Sequence, residues 1–164
     1  MDLSEFNQLP ADDARTALRP CLDVDRWIDG VVAARPYSDL AAALDSARTS
    51  ANPLSPDEIA RAMSHHPRIG EKAKGASAEA AHSSREQAGL GSLEGDVQDR
   101  LAAGNAAYEE RFDRVFLIRA AGRSPEEILA ELQRRMSNTD TQELAEVGEQ
   151  LIQIAALRLE GILA

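Results

Sequence analysis

The sequence predicts an all-α fold, a single-domain bundle of about eight helices spanning residues 1–164. Three observations predict it. Helix-start signals of the Ser-Pro-x-Glu kind recur along the chain, at Ser55-Pro56-Asp57-Glu58 and Ser124-Pro125-Glu126-Glu127. Apolar residues fall at spacings of three and four, most clearly Leu144, Val147, Leu151, Ile154, Ala155, Leu159 and Ile162, which gives one stripe along a long terminal helix. Hydrophobic residues make up 43% of the chain but aromatic ones only 4%, so the core must be built from Leu, Ile, Val and Ala, which suits packed helices.

Taken in order, helices are predicted near Ala11–Leu18, Val24–Ala34 around Trp27, and Ser38–Arg48 with Ser38 as cap. Ser55 at the N-cap, Pro56 at the first helical position and Glu58 at the third form a capping box. The helix it opens should turn Ile59, Ala62 and Met63 inward and end near His65, because Pro67 pushes His66 out of helical geometry. Ala78–Ala88 and Gly95–Phe112 follow, separated by the Gly89-Leu90-Gly91 break. Val115-Phe116-Leu117-Ile118 alone has the β-branched, continuous character of a strand; with no second such run to pair with, it reads as a buried extended or loosely helical connector. Ser124 then opens a helix through Ile128, Leu129, Leu132 and Met136, and the last helix runs from about Thr141 to Ile162.

The length suits one domain with one core. A net charge of −10 argues against nucleic acid and anionic membrane surfaces as partners, and any anionic ligand must be met by local arginines. The single cysteine, Cys21, excludes an internal disulfide and reads as a small buried apolar residue. No segment approaches a membrane span. The start, Met1-Asp2-Leu3-Ser4-Glu5, lacks the apolar run of a secretory leader, and Gly161-Ile162-Leu163-Ala164 lacks the Ser-Lys-Leu peroxisomal address, so the expected location is the cytoplasm.

Chemistry concentrates in two stretches. His66 sits where a helix must stop, just before Pro67, which fixes the backbone, and four residues before Gly70, which permits close approach. There it is either a helix-terminal histidine facing water or an acid–base group on a cleft rim. Ser83, Glu86 and Gln87 stand at i, i+3 and i+4, one side of one helix. They are either a solvated polar face or a hydroxyl, a carboxylate and an amide able to read a polar heterocycle. His65, His66 and His82 lack the spacing of a metal site. Asn105, Tyr108 and Phe112 form an inward stripe on the next helix. Arg158, set in an apolar run, is either exposed between core positions or inward and in need of an anionic partner. Arg68, Lys72 and Arg119 read as surface charge.

In order along the chain stand His66-Pro67-Arg68-Ile69-Gly70, Ser83-x-x-Glu86-Gln87-Ala88-Gly89, Asn105-x-x-Tyr108-x-x-Arg111-Phe112 and Ile154-Ala155-Ala156-Leu157-Arg158-Leu159. This series resembles the OHCU decarboxylase family of urate degradation, over about residues 5 to 163. The resemblance implies a helical-bundle fold, a homodimer, and cofactor-free decarboxylation of 2-oxo-4-hydroxy-4-carboxy-5-ureidoimidazoline to (S)-allantoin, with no metal. It assigns catalysis to His66 and Glu86. It assigns substrate binding to Pro67, Ser83, Gln87, the main chain of Phe116, Leu117, Ile118, Arg119 and Ala120, and the Arg158 guanidinium. One departure stands out: where the family continues Arg-Phe with Gly-Phe-x-Phe, this chain has Asp113-Arg114-Val115-Phe116, losing a glycine and an aromatic residue. Two rival readings remain at this point, a non-enzymatic helical partner-binding module and a decarboxylase of a related ureido heterocycle.

Overall fold

A computed structural model describes residues 1–69, 78–88 and 95–164, and among these it contains nine helices and no strand, an all-α architecture. The helices are α1 (Leu3–Gln8), α2 (Ala11–Leu18), α3 (Asp25–Ala33), α4 (Leu40–Thr49), α5 (Pro56–Met63), α6 (Ala78–Ala88), α7 (Gly95–Phe112), α8 (Pro125–Arg135) and α9 (Asp140–Leu163). No helix among the described residues is long and apolar enough to cross a membrane.

Local chemistry explains most boundaries. The Ser55 box forms as predicted. Glu58 N–H donates to Ser55 Oγ at 3.2 Å and Ser55 N–H to Glu58 Oε1 at 2.8 Å. At α8, Glu127 N–H donates to Ser124 Oγ at 3.1 Å, with proline at the helix start. Two details differ from expectation. The cap of α4 is Asp39, not Ser38: its carboxylate accepts from Ala42 N–H at 2.8 Å. Asp and Ser are about equally good caps, and here it is the Asp39 side chain that meets the first-turn N–H. The six-residue α1 was not predicted; it is closed by a box between Asp2 and Glu5. The Gly89-Leu90-Gly91 break, Gly70 and Lys72 lie outside the described residues.

The chain divides into two compact units, Met1–Ala62 with Leu151–Ala164, and Met63–Gln150. In the first, α3 packs against α2 and α4. Its buried side chains include Phe6, Leu18, Trp27, Ile28, Val31, Leu151 and Leu159. Trp27 is fully enclosed, and its indole N–H finds the Ala47 carbonyl at 2.8 Å, so the ring is buried with its one polar group satisfied. Cys21 is buried, as its surroundings in the sequence predict.

In the second unit α7 packs on α8, around Ile69, Leu101, Tyr108, Phe112, Phe116, Ile118, Ala120, Ile128, Leu129 and Leu132. Three of the chain's few aromatic rings meet here, Tyr108 lying 4.8 Å from Phe112 and 5.2 Å from Phe116 between centroids. Val115–Ile118 is neither helix nor strand, and Phe116, Leu117 and Ile118 are buried, so the connector reading holds.

Candidate active site

The His66 segment is built by the stop of α5. His66 N–H donates to the Met63 carbonyl at 3.2 Å, closing a tight turn. Pro67 then bars a further helical residue. His66 and Pro67 are half-buried. The next two residues are each tied to α7. Ile69 is buried, and its carbonyl accepts from Asn105 Nδ2 at 3.0 Å. Arg68 is exposed but forks onto Glu109, Nη2 lying 3.0 Å from Oε2 and Nε in contact with Oε1. That guanidinium holds the Glu109 carboxyl below the usual carboxylate range. The segment after the histidine thus has a buried neutral tether and a surface ionic one, both on one helix.

On α6 the polar trio lies on the less exposed side. Ser83 is buried and Glu86 and Gln87 are half-buried, whereas Ala81, Arg85 and Ala88 on the same helix are exposed. A purely solvated polar face would show the reverse, so the choice left open by spacing alone is narrowed by burial. His82, also half-buried, places Nδ1 3.0 Å from Arg85 Nη2.

The Phe116–Ala120 strip begins where α7 ends. Asp113 takes φ 55°, the left-handed conformation. Glycine adopts it most readily, and Asp tolerates it better than most residues. At the position where the family pattern has glycine, this chain thus makes a left-handed turn with an aspartate. Four of the strip's polar main-chain atoms are held by hydrogen bonds. Arg135 Nη1 donates to the Leu117 carbonyl at 2.7 Å, and Arg119 N–H to Gln150 Oε1 at 2.8 Å. Arg123 Nε donates to the Arg119 carbonyl at 2.9 Å, and Arg123 N–H to that of Ala120 at 3.1 Å, in a turn closed by Gly122 at φ 80°.

Behind the strip lies a buried ion pair that the sequence did not announce. Arg135 is 1% and Glu143 0% exposed. Arg135 Nε donates to Glu143 Oε1 at 2.6 Å; Nη2 lies 2.5 Å from the same oxygen without hydrogen-bond geometry. Tyr108 O–H donates to that oxygen at 2.9 Å and Asn138 Nδ2 to Oε2 at 3.2 Å. The guanidinium stacks over Phe116, 4.6 Å from the ring centre. Burial and the negative Glu143 push the Tyr108 phenol well above its ordinary value, so it remains a donor. The only sequence signal was a charged residue at a stripe position. Ile128, Leu132 and Arg135 share one face of α8, and Glu143, Val147 and Gln150 one face of α9.

Arg158 belongs to the other unit. It is 3% exposed, which rules out the exposed reading, and it donates from Nη1 to the Pro20 carbonyl at 3.0 Å. Of the other candidate cations, Arg119 is half-buried and Arg68 exposed.

A sequence profile of OHCU decarboxylases matches residues 7–160. The uric acid degradation bifunctional protein of Bacillus sp. (strain TB-90) is 24% identical over 163 residues, covering 99% of this chain and 32% of that protein, so the chain spans about a third of that relative's length. The 2-oxo-4-hydroxy-4-carboxy-5-ureidoimidazoline decarboxylase of Haloferax volcanii is 22% identical over 160 residues, 97% of this chain and 94% of that one. Among solved structures, an OHCU decarboxylase crystallised in the presence of (S)-allantoin superposes with a TM-score of 0.68 at 23% identity, over 88% of this chain and 94% of that one, which establishes a shared fold.

Proposed function

The chain belongs to the OHCU decarboxylase family, and from that premise we propose that it decarboxylates 2-oxo-4-hydroxy-4-carboxy-5-ureidoimidazoline to (S)-allantoin in urate degradation, without a cofactor. His66 and Glu86 are the catalytic residues of this reading. The observation that supports it is the partial shielding of acid–base and polar groups from water: His66 half-buried at a tethered turn, and Ser83, Glu86 and Gln87 on the less exposed side of α6.

The substrate brings its own electron sink. When the bond from the ring carbon to the carboxylate breaks, its electron pair forms a carbon–carbon double bond with the neighbouring ring carbon. The C=N pair of that neighbour moves to nitrogen, which takes a proton, and carbon dioxide leaves. The resulting enol then gives up its hydroxyl proton while the neighbouring carbon gains one, which completes allantoin. The protein must orient the ring, manage these protons and exclude water. In this reading His66 exchanges the proton at the hydroxyl or at the neighbouring carbon, and Glu86 holds the imidazole's tautomer. Delivery from one face yields one enantiomer.

Pro67, Ser83, Gln87 and the main chain of Phe116–Ala120 bind the ring and ureido groups, and the resemblance extends the binding set to Arg158. Gripping the departing carboxylate hardest would stabilise the ground state, since that charge is lost, so the ureido and ring oxygens are the better handles. The family resemblance also supports a homodimer; sedimentation equilibrium at two protein concentrations tests the assembly. The activity is tested by adding the purified chain to freshly generated urate-oxidation products and following circular dichroism. Optically active allantoin should appear faster than without protein. An unchanged spontaneous rate would contradict the reading and leave a binding module.

A further inference from the structure

We propose that Arg135 is a positioning residue for this reaction, acting through the Leu117 carbonyl that it holds from behind. The inference rests on the proposed function, in which the Phe116–Ala120 main chain meets the substrate. Its own support is the construction of the clamp.

A buried Arg–Glu pair is a poor means of stabilising a core, because desolvating both charges offsets their attraction, and apolar residues of similar volume often serve as well or better. What apolar residues cannot do is bind a main-chain carbonyl. Arg135 uses its planar fork for two tasks at once. Nε engages Glu143 at 2.6 Å, and Nη1 engages the Leu117 carbonyl at 2.7 Å. Its flat face covers Phe116, so one side chain fixes two consecutive residues of the strip, one by its ring and one by its carbonyl. Glu143 fixes the guanidinium in turn, and Tyr108 and Asn138 fix Glu143. Two helical turns further along α9, Gln150 holds Arg119 N–H at 2.8 Å. Glu143 and Gln150 therefore order the strip at both ends of Leu117–Arg119 from one helix. Every one of these groups lies within the second unit.

The test separates positioning from mere support. In the double variant Arg135→Met/Glu143→Leu the charge pair is replaced by apolar side chains, so the fold is retained while the hold on Leu117 is lost. Arg135→Lys is the companion variant: its ammonium still pairs with Glu143 but cannot span both partners as a fork. Both are assayed by circular dichroism of the allantoin formed, at a temperature where thermal melts show each fully folded. A displaced strip should raise KM and lower kcat/KM by about tenfold or more, since displacements of an ångström are costly at a reacting centre. Because each variant is fully folded in the assay, a purely structural role would leave both KM and kcat at their wild-type values and lower only the melting temperature. Either folded variant with wild-type KM and kcat overturns the proposal. His66→Asn in the same assay keeps the two claims apart. If it is inactive while the clamp variants match wild type, positioning fails and the function stands. If the wild-type chain forms no allantoin, the function fails and positioning with it.

Discussion

The first unit fills its interior with Phe6, Leu18, Trp27, Ile28 and Val31, whereas the second closes over Arg135, Glu143, Asn105 and Ser83. Most of the first unit's ion pairs lie at the rim: Arg15 with Asp29, Arg19 with Asp23, and Arg26 with Glu58. Its one buried charge among the described residues is Arg158, which the family resemblance places in the binding set. Buried polarity in this chain thus follows the proposed chemistry. A core that needed only stability would resemble the first unit throughout. The second accepts the desolvation of two charges and an asparagine. In return, a carbonyl of the strip and a carbonyl of the His66 segment are each held by a buried side chain.

The largest effect expected from any substitution is on turnover. His66→Asn should lower kcat by about 10²–10⁴-fold, the usual worth of acid–base help, with the melting temperature unchanged. Equal loss of stability and activity would make His66 a structural residue, like those that fill the first unit.

Next come the two cores themselves. Trp27→Ala should cost about 3–5 kcal/mol by transfer and cavity terms, as urea denaturation would measure. Arg135→Met alone should cost a similar amount, about 3–5 kcal/mol, for a different reason: it strands Glu143 as a buried unpaired charge. The two cores then part ways at the second change, because Glu143→Leu should restore most of the loss. If Arg135→Met is tolerated without it, the pair is not the polar centre of the second unit.

Asn105→Ala removes the tether on Ile69. Its Oδ1 is itself buried without a partner among the described residues, so deleting the amide relieves one unsatisfied atom while orphaning the Ile69 carbonyl. Stability should change by only about 1 kcal/mol, and kcat/KM by more than that corresponds to, since the tether serves the segment that carries His66.

The smallest effect is expected at the first unit's rim. Arg26→Met should cost less than about 1 kcal/mol, because the Arg26 side chain is half exposed. The hydrogen-bonded Arg26 guanidinium lowers the Glu58 carboxyl from 4.5 to about 2. Because the folded value is the lower one, the stabilisation is present above the ordinary carboxylate range and is lost as pH falls from about 4.5 towards 2. Melts of wild type and Arg26→Met should therefore converge through that interval and stay parallel above it.

Much of this fold could be read before any coordinates. The bounds of α2, α6 and α7 follow from apolar spacing and glycine breaks, α5 and α8 from Ser-Pro-x-Glu starts, and the connector from a lone β-branched run. What escaped has physical reasons. The six residues of α1 are too few to display a stripe, although the Asp2 and Glu5 box was there to be read. Asp39 rather than Ser38 is the cap of α4 because the two residue types cap about equally well, so residue type alone does not choose between neighbours. Arg135 and Glu143 escaped because charge in a helix is ordinarily surface, and only their register on apolar faces marked them. For the candidate site, the sequence supplied residue types and their helices. Burial of the α6 trio and the tethers on Ile69 and Leu117 depend on long-range packing, which spacing does not encode.

A crystal structure of the chain with (S)-allantoin bound would probe the proposed site without intermediate steps. The ligand is expected within hydrogen-bonding distance of His66, with Gln87 and the Ile118 region of the strip against its ring and ureido groups. Allantoin bound to residues of this chain remote from both His66 and α6 would contradict the assignment.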